Sequence, residues 1–235
     1  MKDISSIDNT SVYKEILLEM LSEHRINDIP GIYAELCCYP IIFSTIGVID
    51  GSSKSYLRHE FEWYRSEDLS IKNHPGIETN PLWKNCATVN GNVNSNYGWC
   101  VYSEENGDQF YHALNALLDD VHSRRAEIIY TRPSIHVEQN DGIHANQDMM
   151  CTNYIMFLIR DNTLYMHVHM RSNDIWHGLR YDLAWQQHVY SDMYSKLTDT
   201  KYEDLKKGTI TWLADSLHIY TRDLPAINKF IQYKC

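Results

Sequence analysis

A chain of 235 residues is long enough to bury a substantial core in one large domain. Hydrophobic residues at 43% and charged residues at 22% are the proportions of an ordinary globular protein, and a formal net charge of −10 argues against a broad nucleic-acid-binding surface. No apolar run approaches the ~18 residues that span a bilayer, and the opening "MKDISSIDNT" is too polar for a signal peptide, so the expectation is a soluble, cytoplasmic protein.

In chain order, "SVYKEILLEMLSEHR" (residues 11–25) has apolar residues at helical spacing, with Ser11 as its N-cap. "IYAELCCYPIIFSTIGVI" (32–49) is β-rich, and its internal Pro40 implies two strands, or one bent strand near a sheet edge. "SKSYLRHEFEWYRSE" (53–67) reads as a helix in which Leu57, Phe61 and Tyr64 face one way, with Glu60 and Trp63 beside them. The Asn, Gly and Pro content of "NHPGIETNP" and "NGNVNSNYG" marks loops. "GDQFYHALNALLDDVHSRR" is a second amphipathic helix, and "EIIYTRPSIHV" a strand ending near Pro133.

A hairpin follows: a strand over Cys151–Ile159, a turn at "RDNT", and a strand over Leu164–Met170. "GLRYDLAWQQHVYSDMYSKL" is a long helix, and "GTITWLADSLHIYTRDL" returns to strand. Strands and helices mixed without regular alternation, and without a repeat or linker, indicate a single α+β domain over residues 1–235.

Several residues carry possible chemistry. The six cysteines (Cys37, Cys38, Cys86, Cys100, Cys151, Cys235) show no CxxC spacing, which suits a reducing compartment where most thiols are small buried hydrophobes. Cys151, heading an apolar strand, reads first as a packed thiol. The hairpin, however, returns Arg171 toward it, and a nearby cation favours the reactive thiolate. Arg124 and Arg125 are either a solvated helix end or a phosphate-binding pair. His167 and His169 share a strand face, but without a third ligand at metal-site spacing no metal is expected. Glu60 lies nearer the apolar face of its helix than Glu62 does. Asp182 is a carboxylate between Tyr181 and Leu183 with Trp185 nearby, at the start of a helix where the dipole alone would favour it.

The motifs "HEFEW", "SNYGW", "SRRAEIIYTRP", "MCTN", "RSNDIWHG" and "LHIY", in this order across roughly residues 56–223, resemble the thymidylate synthase family. "RSND", "CTN" and "RPS" are closest to its deoxycytidylate-hydroxymethylating branch in T-even phages. The resemblance implies a mixed β-sheet packed by helices and a sheet-to-sheet homodimer. It also implies transfer of a one-carbon unit from 5,10-methylenetetrahydrofolate to C5 of dCMP, for modified-cytosine DNA synthesis in an infected cell.

By the same resemblance Cys151 is the nucleophile that adds to C6, while Arg171 supports that thiolate and the phosphate, which Ser172 also binds. Arg124 and Arg125 reach the phosphate held by the other subunit, and His218 and Tyr220 hold the ribose 3′-hydroxyl. Glu60 organises water and proton transfer, Tyr97 assists removal of the C5 proton, and Trp83 and Asp174 contact the folate. Asp182 stands where uracil-specific members carry asparagine, so it reads the cytosine 4-amino group and N3.

Departures from the family pattern are informative too. Thr152 replaces the histidine after the nucleophile, and Cys86 replaces a tryptophan three residues past Trp83; weaker shielding favours water over hydride at the last step. The N-terminal phosphate loop is not recognisable, Arg25 being the substitute, and the chain stops at Cys235 without the family's longer closing tail. The alternatives are a dCMP C5-methyltransferase that yields dihydrofolate, a CMP hydroxymethylase, and an inert nucleotide- or RNA-binding relative.

Overall fold

The structure is a computed structural model that describes residues 7–23, 26, 28–138 and 147–232. Arg25 and Cys235 lie outside the described residues. The chain divides into two compact units, one made of the segments before Ser53 and after Met156, the other of Ser53–Met156.

The first unit is built on a mixed sheet. It contains α1 (Asn9–Glu23), β1 (Ile32–Ser44), the second half of β3 (Thr152–Arg160), β4 (Thr163–Met170), β5 (Asn173–Asp174), α8 (Leu179–Thr200), β6 (Lys206–Tyr220) and α9 (Leu224–Gln232). Strand order runs β1–β6–β4–β3, with β5 also on β6. β1 pairs antiparallel with β6, from Ile32 opposite Tyr220 to Ser44 opposite Thr209. β4 and β5 run parallel to β6. A parallel neighbour needs a long crossover, and α8 supplies it between β4 and β6. That helix buries Leu183, Trp185, Val189, Tyr190, Met193 and Leu197, and Tyr190 ties it to the sheet by donating to the Leu164 carbonyl (2.8 Å). Phe43 and Trp212 meet edge to face across β1 and β6 at 6.1 Å.

β1 is the single bent edge strand that Pro40 implied. It carries Pro40 mid-strand, and Cys38 takes a left-handed φ of 52°. The hairpin is also as expected: Asp161 and Asn162, both at positive φ, form the two-residue turn that right-twisted strands prefer. The N-cap of α1 differs. Asp8, not Ser11, accepts from the amides of Thr10 and Ser11, because an aspartate one turn earlier presents its carboxylate to those free donors.

The second unit holds α2 (Lys54–Ser66), α3 (Pro75–Glu78), α4 (Pro81–Cys86), α5 (Tyr97–Tyr102), α6 (Gln109–Asp119), β2 (Glu127–Ile129), α7 (Ile135–Glu138) and the first half of β3, against which β2 pairs antiparallel. α2 starts where Ser53 accepts from the Tyr56 amide and stops at Glu67, at φ 55°. Its buried face is Glu60, Trp63 and Tyr64, shifted from the expected Leu57–Phe61–Tyr64 stripe; the indole of Trp63 goes inward to donate to the Asp68 carbonyl (2.8 Å).

Both expected loops contain short helices, α3 and α4 beginning with proline at a first-turn position and α5 with the Asn96 cap. α6 ends at Asp119, short of the arginine pair, and the strand after it is only Glu127–Ile129 before Pro133 leads into α7. The cysteines are less buried than expected: among those described, Cys37 and Cys38 are exposed, Cys86 and Cys151 half-buried, and only Cys100 is enclosed.

Candidate active site

The candidate residues fall into two sets, one in each unit. In the second unit, α2 and α5 are clamped together. Asn96 caps α5 by accepting from the Trp99 amide, and its own amide donates to the carbonyls of Trp63 and Asp68 at the end of α2 (2.9 Å each). Gly98 permits the close approach, since a Cβ there would lie 1.8 Å from the Tyr64 carbonyl oxygen. This clamp fixes Glu60 and Tyr97. The Tyr97 ring stacks on Tyr64 at 5.4 Å and meets Tyr130 edge-on at 4.9 Å. Its hydroxyl accepts from the Thr152 hydroxyl at 3.0 Å.

Thr152 thus has a bond of its own to Tyr97, a partnership that sequence spacing of 55 residues does not reveal. Cys151 sits half-buried between the fully enclosed Met150 and Thr152, just before β3 begins. The segment leading to it is held by buried Asp148, which accepts from the Ser95 amide (2.6 Å) and hydroxyl (2.8 Å). Glu60 is buried and accepts from the Tyr56 hydroxyl at 2.9 Å, while Tyr56 accepts from the Trp83 indole at 2.9 Å. Trp83 is buried edge-on against Trp63 at 5.0 Å. Arg124 and Arg125 are both exposed beyond α6, with Ser123 buried beneath them.

In the first unit, pairing of the two-residue β5 with the end of β6 sets Asp174 opposite His218. His218 is buried and Tyr220 half-buried two residues on, their rings in edge contact at 5.1 Å. Arg171 and Ser172, half-buried, precede β5. Asp174 accepts from the amides of Trp176 and His177, shaping the turn into α8. His177 bonds Asp223 at 3.0 Å, and the ligand-type atoms of Asp174, His177 and Asp223 lie within 4.8 Å of one another. Arg180 locks the same turn: its guanidinium donates to the carbonyls of Trp176 (2.7 Å) and Gly51 (3.0 Å). His169 has Asp215 as its partner at 3.0 Å, and burial, helped by the nearby His169 charge, holds His167 below the usual histidine range.

Asp182 lies in the first turn of α8 and accepts from the Asn173 amide nitrogen at 2.9 Å. The orientation of Asn173 is dictated by Trp212, whose indole N–H donates to the Asn173 carbonyl oxygen at 3.2 Å. An indole can only donate, so the Asn173 amide must turn its NH2 to Asp182. Burial pushes the Asp182 carboxyl from 3.8 up to about 6; the Asn173 bond opposes the rise and the Asp174 charge adds to it. The result is a half-buried carboxyl with one oxygen already accepting, suited to carry a proton on the other.

A family model for thymidylate synthase matches residues 52–234. The chain is 40% identical over 185 residues to the deoxycytidylate 5-hydroxymethyltransferase of Enterobacteria phage T4, across 78% of this chain and 71% of that protein. The corresponding protein of Enterobacteria phage T6 is similar to the same extent. The chain belongs to the thymidylate synthase family. A thymidylate synthase of Buchnera aphidicola subsp. Baizongia pistaciae is 24% identical over 182 residues, covering 74% of this chain and 62% of that one. The fold is that of a thermostable thymidylate synthase A from Bacillus subtilis, with a TM-score of 0.71 at 16% identity over 97% of this chain and 85% of the other.

The mixed sheet packed by helices is therefore the thymidylate synthase fold that the sequence implied. Sequence reasoning placed Asp182, Glu60 and Trp83 on the candidate list but missed Asn173, Trp212 and Tyr56, which hold them. The only signal for Asn173 was its place inside the "RSND" wording.

Proposed function

We propose that the chain converts dCMP, 5,10-methylenetetrahydrofolate and water into 5-hydroxymethyl-dCMP and tetrahydrofolate. The observation that carries the reading is Asp182. A carboxyl that titrates near 6, with one oxygen held as an acceptor by Asn173, matches an amino donor beside a ring-nitrogen acceptor. That edge belongs to cytosine; uracil presents the opposite polarity. The likeness to phage deoxycytidylate 5-hydroxymethyltransferases supports it.

The folate supplies a one-carbon unit at the oxidation level of formaldehyde, and Glu60, Trp83 and Asp174 are the residues that would hold it. The donor set fits: the half-buried Asp174 carboxylate offers acceptors for a pterin amino edge, and Trp83 offers an aromatic wall. Cys151 adds its thiolate to C6, which makes C5 nucleophilic. Arg171 favours that thiolate and, with Ser172, binds the phosphate; Arg124 and Arg125 reach the phosphate of the other protomer in a homodimer. His218 and Tyr220 hold the ribose 3′-hydroxyl. C5 bonds to the one-carbon unit. With Tyr97 assisting, the C5 proton passes to solvent as the carbon–nitrogen bond to tetrahydrofolate breaks with its electron pair on nitrogen. A water organised by Glu60 adds to the exocyclic carbon before the Cys151–C6 bond breaks. The setting is the cytoplasm of a phage-infected cell; no helix among the described residues is long and apolar enough to cross a membrane.

The product mass tests this reading. Enzyme with dCMP and methylenetetrahydrofolate is expected to give a product heavier than dCMP by one CH2O unit. A gain of one CH2 unit with dihydrofolate formed would instead make the chain a dCMP methyltransferase, the reading that the Thr152 and Cys86 departures disfavour.

A further inference from the structure

Glu60 and Trp83 are joined through a third residue. Tyr56 and Glu60 stand one turn apart on α2, and the first turn of that helix is held by the Ser53 cap on the Tyr56 amide. The Trp83 indole N–H, reaching across from α4, donates to the Tyr56 hydroxyl oxygen at 2.9 Å, and that hydroxyl donates to Glu60 Oε1 at 2.9 Å. The polarity of the chain is not arbitrary. An indole nitrogen has no lone pair to offer, so the phenol oxygen must accept from it, and the one phenol proton is then directed at the Glu60 carboxylate. Both ends of the chain are buried, where an unmade bond is expensive, which holds all three groups in register.

We propose that Tyr56 is a positioning residue that couples the indole of Trp83 to the Glu60 carboxylate and orients that carboxylate for the water step. The proposal rests on the roles given to Glu60 and Trp83 above. The phenol holds Oε1 as an acceptor, which fixes the carboxylate for the last step. It also makes the placement of Trp83 depend on the carboxylate: a tryptophan shifted on this side changes how Glu60 is held, and the reverse. Tyr56 acts through Glu60.

Two measurements on the full-length protein decide it. The first is independent of turnover. In 15N-tryptophan-labelled protein, with the Trp83 indole resonance assigned through Trp83→Phe, Glu60→Gln is expected to shift that resonance when Tyr56 is present. In the Tyr56→Phe background the same Glu60→Gln change is expected to leave it still. A Trp83 resonance blind to Glu60→Gln in the Tyr56 protein overturns the coupling. The second is kinetic. Tyr56→Phe keeps the ring and is expected to lower kcat about tenfold, a fraction of the roughly 10²–10⁴-fold that a positioned proton-transfer group contributes because Glu60 itself remains, while the dissociation constant for dCMP stays put. Full kcat in Tyr56→Phe, or an equal loss in nucleotide binding, refutes the positioning role. Should the unaltered enzyme fail to convert dCMP at all, the proposed function falls, and the resonance experiment still decides whether Tyr56 couples the two groups.

Discussion

Burial in the first turn of α8 gives Asp182 a proton that an exposed aspartate would have released, since its carboxyl titrates near 6 instead of 3.8. Between those values the folded chain binds a proton that the unfolded chain does not, so linkage makes stability fall as pH rises. The contribution is fully present below about pH 4 and lost above about pH 6, a total of about 3 kcal/mol at 1.36 kcal/mol per pH unit. Asp182→Asn removes the titration. Urea unfolding at pH 4 and pH 7.5 is expected to show the variant gaining on the unaltered protein as pH rises, and a constant difference would refute the shift. The same substitution reverses the polarity offered to the base. An unsatisfied buried group is worth about 1–3 kcal/mol, so the ratio of kcat/KM for dCMP to that for dUMP is expected to drop by about 5- to 150-fold. An unchanged ratio would remove Asp182 from base recognition. Asn173 belongs to this device, because its amide, oriented by Trp212, keeps one Asp182 oxygen as an acceptor.

At the level of elements, legibility followed length and locality. The β3–β4 hairpin could be read because two alternating strands flank an Asp-Asn turn, and α8 because its apolar residues extend over 22 positions. α3 and α4, with four and six residues, are too short to show a helical period, and their asparagines and prolines read equally well as loop. Candidate residues carried by motif were found, whereas those that act through a partner were not. Tyr56 and Trp83 are 27 positions apart, and Asn173 and Trp212 39, so only tertiary pairing reveals them. The α2–α5 contact is the element-level counterpart. It depends on Gly98, where a Cβ would collide with the Tyr64 backbone at 1.8 Å. Gly98→Ala must push α5 off α2, and backbone cannot yield as a flexible side chain does. The expected loss of stability is about 2 kcal/mol or more, read from denaturant unfolding, with a kcat loss because Tyr97 and Glu60 ride on the two helices. An unchanged unfolding midpoint would contradict the close approach.

At the scale of the whole molecule, the homodimer proposed above can be tested through the exposed face of β1 and through the arginine pair, each taken by itself. β1 turns Ala34, Leu36, Ile41 and Phe43 inward but leaves Cys37, Cys38, Pro40 and Ile42 exposed, Ile42 at 54%. An apolar strip on a sheet is a surface that a second copy of the chain would cover. Arg124 and Arg125 are exposed beyond α6, where the proposed function has them reach the phosphate of the other protomer. In a twofold dimer that exchanges these arginines, each site takes Cys151 from one protomer and the pair from the other. This gives a test that a self-sufficient protomer would fail. Cys151→Ala protein lacks the nucleophile, and protein with both arginines changed to alanine lacks the cross-protomer phosphate contacts, so each alone is expected to be nearly inactive. After unfolding and refolding an equal mixture, half of the dimers are hybrids by chance, and each hybrid holds one site with both Cys151 and intact arginines. Activity is therefore expected to return to about a quarter of the unaltered level, by the symmetry of a two-site dimer. If the mixture recovers no activity, the arginines serve their own protomer and the exchange is refuted.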